Sequence, residues 1–150
     1  MIKIRNEGEI LISLQINGTQ TIAAGGVATT DSAVIPFASR LKAILAREGV
    51  AGTGTTATAD ILKNGVTMVS SGTLLSYAGG TNVPTYSANL SPNPPTFAKG
   101  DVVQLKNIAV NGTTAAVDQT VILVLERARA GSWNDPVQFD TLGADSDAIS

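Results

Sequence analysis

The sequence predicts an all-β, antiparallel sandwich or barrel, on three observations. Apolar and polar residues alternate at period two in several short segments, Asn-Gly and Gly-rich turns separate those segments, and no stretch demands a long helix. At 150 residues the chain fits one domain of ordinary size, able to bury roughly two-thirds of its unfolded surface. Hydrophobic residues make up 43% but aromatics only 4%, so Val, Ile, Leu and Ala must fill the core. Charged residues are 15%, against roughly 25% in an average soluble domain, and Gly, Thr, Ser, Asn and Ala take their place. Small hydroxylated and β-branched residues are the material of turn-rich sheets. A surface with so little charge suits a protein partly covered in an assembly.

Each element follows from local pattern. From Glu9 to Ile16, Ile10, Ile12, Leu14 and Ile16 share one face and Leu11, Ser13 and Gln15 the other, which is a half-buried strand. Asn17-Gly18 then predicts a hairpin turn, with Thr19 to Ile22 as the return strand. Ala23 to Thr30 is small and glycine-bearing, a linker. Pro36 restricts Ala33-Val34-Ile35 to a short or edge strand. Ser39 to Glu48 fits two patterns: Leu41, Ile44, Leu45 and Glu48 have helical spacing among good helix formers, and the same residues also alternate as a strand. Local pattern alone favours the helix. Thr56 to Lys63 alternates again, and Asn64-Gly65 turns it into Val66 to Val69. Gly79 to Pro95 holds four of the six prolines and is a long excursion loop. Phe97 to Asp101 is a turn before the strand Val102 to Val110, and Asn111-Gly112 opens another turn. Gln119 to Arg127 is apolar on both faces at Val121 to Leu125, hence a central strand. Asn17-Gly18-Thr19 and Asn111-Gly112-Thr113 match a glycosylation pattern, but the turn reading takes precedence.

Composition excludes much chemistry. Without Cys there is no disulfide and no thiolate metal site, and without His the usual acid/base group near neutral pH is missing. Eight acids (Glu7, Glu9, Asp31, Glu48, Asp60, Asp101, Asp118 and Glu126) could in principle pair as in a glycosidase, but they share no motif and fall mostly at strand ends or turns. Asp101, after Gly100, is expected to accept turn N–H bonds. No base stands ready to activate a Ser or Thr, and neither a phosphate loop, a dinucleotide glycine pattern nor an acidic calcium loop is present. The expectation is therefore no catalytic residue, no cofactor and no metal. The net charge of −2 divides into four acids and no base over 130–150, and ten bases against eight acids, or +2, over 1–129. Neither part has the basic patch with interleaved aromatics that nucleic acid requires. No apolar run approaches a membrane span, and Met1 to Arg5 lacks a signal core, so the expected product is soluble and made in a cytoplasm.

The segment from Pro36 to Arg127, about two-thirds of the chain, resembles a β-sandwich domain of tailed-phage virion proteins, among them head decoration and tail-associated proteins. The residues that carry the resemblance are Arg40 to Ala46, Gly52-Thr53-Gly54-Thr55-Thr56, Asp60-Ile61-Leu62-Lys63-Asn64-Gly65, Phe97 to Val103, and Val121 to Leu125. It implies a jelly-roll-like sandwich in which Ser39 to Glu48 is a strand. It also implies a homotrimer on the capsid surface of a virion, bound to the major capsid protein, with no membrane or nucleic-acid partner. On that reading 1–30 is a hairpin arm and linker, 31–129 the sandwich, and 130–150 an acidic, extended tail. Ile10, Ile12 and Leu14 on the hairpin and Trp133, Phe139 and Leu142 in the tail become candidate partner-docking residues. The hairpin can equally add strands to the domain's own sheet, and the tail can fold back or stay disordered. The leading expectation is a decoration, or cement, protein that stabilises the head. The alternative is a tail, baseplate or head-fibre protein in which Tyr77 and Tyr86, about the long loop, stack host-surface glycan.

Overall fold

The structure, a computed structural model, describes residues 2–5, 8–21, 30–127 and 138–141. Among them every regular element is a strand, and no helix is long and apolar enough to cross a membrane. The strands form two sheets packed face to face, a β-sandwich. The first sheet has the order β1 (Ile2–Arg5), β2 (Glu9–Thr19), β11 (Val117–Arg127), β4 (Ser39–Val50), β12 (Gln138–Thr141). β9 (Thr96–Phe97) shares the β12 edge of β4, pairing with Ser39 and Arg40 while β12 pairs with Ala43 to Ala46. The second sheet runs β3 (Thr30–Val34), β10 (Val102–Ala109), β5 (Ala57–Lys63), β7 (Leu75–Tyr77), β8 (Thr85–Tyr86), with β6 (Val66–Thr67) on β5. The chain passes from β2 across to β3, back to β4, across to β5 through β8, back to β9, across to β10, and back to β11. All pairings are antiparallel except β12 on β4, which is parallel.

Period-two alternation builds the core. Ile10, Ile12, Leu14 and Ile16 of β2, Val121, Leu123 and Leu125 of β11, and Leu41, Ile44 and Ala46 of β4 face Ala57, Ala59 and Ile61 of β5, Val103 and Leu105 of β10, and Leu75 and Tyr77 of β7. β11 lies between β2 and β4, as its two apolar faces predict. β4 is a strand throughout Ser39–Val50. Helical spacing there is a coincidence of one bulge opposite Val124 and Leu125, which lets both Leu41 and Ile44 face inward. The Asn64-Gly65 turn closes the β5–β6 hairpin as expected, both residues having positive φ (50° and 83°).

Asn17-Gly18 does not turn the chain. β2 continues to Thr19, and its register against β11 gains one residue between Ile16, opposite Gln119, and Thr19, opposite Val117. Gly18 at φ 79° and Asp118 at φ 58° absorb the extra residue, and the Gly18 N–H donates to the Asp118 carboxylate at 2.6 Å. The positive φ that glycine allows is spent on a bulge, and the predicted return strand from Thr19 is absent among the described residues. The N-terminal hairpin is instead β1 with β2, Ile2 opposite Ile12, so β2 belongs to the sandwich itself. Within the predicted tail, Gln138–Thr141 adds a strand to the edge of β4. The remainder of 130–150, and residues 22–29, which take in all of the predicted linker but Thr30, lie outside the described residues, and Thr30 begins β3.

Candidate functional site

At one end of the sandwich the inward-facing positions stop being apolar. On β4 the series Ile44, Ala46 is followed by Glu48, on β10 Val103, Leu105 by Asn107, and on β11 Leu123, Val121 are preceded by Gln119. Gln20, just beyond β2, completes the group, and all four are buried. Glu48 and Gln119 are register partners on adjacent strands. With Tyr77 and Asn111 these side chains line a cavity of about 10 Å³, room for one water-sized occupant.

Hydrogen bonds within this group join the two sheets. The Asn107 amide donates to Gln20 Oε1 at 2.6 Å, while Gln20 Nε2 donates to the carbonyls of Ile16 (2.9 Å) and Gly18 (3.1 Å). Gln119 Nε2 donates to the Tyr77 hydroxyl at 3.2 Å, and the Asn111 amide donates to the Thr55 carbonyl at 2.8 Å. Glu48 Oε2 and Gln119 Oε1 are buried and find no donor. Burial pushes the Glu48 carboxyl from its ordinary 4.5 up to about 7. Burial likewise raises the Tyr77 phenol above its usual value. Glu48 is thus not one of the solvated strand-end acids that its position suggests. The signal was available in the sequence: continuing each alternation one step beyond its last apolar residue reaches Glu48, Gln119 and Asn107.

A second polar node is exposed. Asn64 Nδ2 donates to Asp101 Oδ1 at 2.9 Å, the Val102 N–H donates to Asn64 Oδ1 at 2.8 Å, and the Ala98 N–H donates to Asp101 Oδ2 at 2.8 Å. The Asn64 hydrogen bond foremost, with the Ala98 N–H, holds Asp101 below the usual carboxylate range. This is the turn role expected of Asp101. Among the described residues no group of three or more acids, His or Cys could hold a metal ion.

The candidate docking residues are not brought together. Ile10, Ile12 and Leu14 are fully buried, and the partner of their apolar face is the second sheet of the same sandwich. They are therefore core residues, which corrects the docking expectation. Trp133 and Leu142 lie outside the described residues; Phe139 takes the register position beside Ile44 on β12. Tyr77 is 1% exposed and offers no face to a sugar, a second correction. Tyr86 is half-buried, and its hydroxyl accepts the Ala46 N–H at 3.1 Å, tying β8 of one sheet to β4 of the other.

Outside the core between the sheets further apolar residues remain, Val50, Val66, Val83 and Ile108 among the exposed ones. Ala43 and Leu45 of β4 and Val124 of β11, with half-buried Leu11 and Ile122, form a separate cluster on the face of the first sheet turned away from the second. Val34 and Val102, register partners at the β3 edge, are 55% and 38% exposed. Comparison with known proteins returned nothing similar: no family model, no curated protein and no solved structure matches this chain.

Proposed function

We propose that the chain is a non-catalytic virion structural protein, a decoration protein that binds the outer surface of a phage capsid lattice and stabilises the head. The observation that carries this reading is the strand order. Within the two six-stranded sheets, the order β2-β11-β4, with β9 on β4, facing β3-β10-β5-β7 supports a jelly-roll-like reading, an architecture that occurs in viral capsid and lectin domains. Fold alone does not assign function, so the reading also rests on the surface. Charge is sparse, and the register pair Val34 and Val102 is left exposed at the β3 edge. The glycan alternative loses one of its two aromatic residues, with Tyr77 in the core and Tyr86 half-buried. Mixing the purified protein with undecorated heads of a candidate phage and sedimenting the particles tests the proposal. Saturable co-sedimentation at a fixed ratio to the major capsid protein is expected. Its absence from the pellet across the phage particles of its own host would overturn the reading.

A further inference from the structure

We propose that the cavity between Glu48, Gln119 and Tyr77 binds a single small monovalent cation, sodium by size, which locks the two sheets together at this end. Of the three oxygens of cavity-lining residues that have no donor, Asn111 Oδ1 comes from a residue 5% exposed, and Glu48 Oε2 and Gln119 Oε1 come from register partners 2% exposed. Both are acceptors. The Tyr77 hydroxyl, already accepting from Gln119 Nε2, brings a third oxygen to the same place. No Lys or Arg lines the cavity, so the Glu48 carboxylate has no positive group there to balance it. Below its raised pKa the Glu48 carboxyl keeps its proton and needs no counter-charge; above it, a water molecule could donate to both oxygens but would leave the charge uncompensated, and a buried carboxylate without a counter-charge is strongly disfavoured. A cation answers both needs at once. Its class follows from the donors: one carboxylate, one amide oxygen and one phenol oxygen are hard ligands, unsuited to soft transition metals. Calcium takes six to eight oxygens and draws on several carboxylates, whereas this cavity offers one acid and the volume of a single small occupant.

The site spans both sheets, Glu48 and Gln119 coming from the first and Tyr77 from the second. Binding would therefore act on folding, because a ligand that binds only the native state raises its stability by mass action. The test is thermal unfolding of the full chain, at one fixed mildly alkaline pH, in sodium chloride and in choline chloride of matched ionic strength. Sodium is expected to raise the unfolding temperature saturably above choline, and Glu48→Gln, nearly isosteric and neutral, is expected to abolish the difference. Sodium NMR linewidths on the native protein give a second reading that needs no variant: they should broaden on addition of protein, and potassium should reverse this only at large excess. Superimposable sodium and choline curves, a sodium effect retained in Glu48→Gln, or linewidths unchanged by the protein would each overturn the proposal.

Discussion

The Asn107 amide donates to Gln20 Oε1 at 2.6 Å, with both side chains buried, so a strand of one sheet is hydrogen-bonded through the core to the end of a strand in the other. Such a bond is worth little net, but breaking it from one side is costly, because the surviving group stays buried without its partner. Asn107→Ala should therefore destabilise the fold by about 1–3 kcal/mol in urea unfolding. Combining it with Gln20→Leu, which also takes a donor from the carbonyls of Ile16 and Gly18, should cost less than the sum of the two single changes, since neither member of the Asn107–Gln20 bond is left behind.

Glu48 makes stability depend on pH in the direction opposite to most carboxylates. Its folded-state pKa, raised by burial from 4.5 to about 7, means the native state holds a proton that the unfolded chain has lost. Stability from this group is present in full below about pH 4.5, declines as pH rises towards 7, and stays lost above it. The shift corresponds to about 3 kcal/mol in a sodium-free buffer. The stability of the native protein minus that of Glu48→Gln should fall by roughly that amount between the two limits, in denaturant unfolding at a series of pH values.

Asp101 works the other way. Its pKa is held down by Asn64 and the Ala98 N–H, so its contribution is present above the ordinary carboxylate range and is lost as pH falls through its folded value. Asp101→Asn should lower the unfolding temperature at neutral pH and flatten the loss of stability on acidification. A Thr in place of Asn64 should weaken the same turn, since a β-branched residue is strained at the φ of 50° that Asn tolerates and one hydroxyl oxygen cannot take the places of both amide atoms, Nδ2 on Asp101 and Oδ1 on Val102.

Ile12 distinguishes a core residue from a docking residue. It is fully buried between the sheets, so Ile12→Ala should cost about 2–5 kcal/mol of folding stability. A surface role would instead leave the unfolding midpoint nearly unchanged.

Much of the fold is legible in local pattern, and the failures share a cause. Asn64-Gly65 joins strands adjacent in sequence, so the turn and both strands can be read in one short window. Asn17-Gly18 carries the same turn signal, but β2 pairs there with β11, about a hundred residues later, and the glycine serves a bulge. Ile10, Ile12 and Leu14 are legible as one buried face, yet what buries them comes from β5, β10 and β7, so a self-contained sandwich and a docking hairpin look alike along the chain. Ser39 to Glu48 is ambiguous for the same reason: a bulge opposite Val124 and Leu125 creates its helix-like spacing. The polar end of the core is the clearest omission. Glu48, Asn107 and Gln119 each lie one step beyond the last inward-facing apolar residue of their strand, but their meeting requires two sheets in register.

The proposed role on the particle is tested most directly by the temperature at which heads come apart. Differential scanning calorimetry of undecorated heads, with and without the purified protein bound to saturation, measures it. The account predicts a disruption transition shifted upward in proportion to occupancy, with the protein's own unfolding as a separate event. Heads that take up the protein yet disrupt at an unchanged temperature, or that take up none, would contradict it.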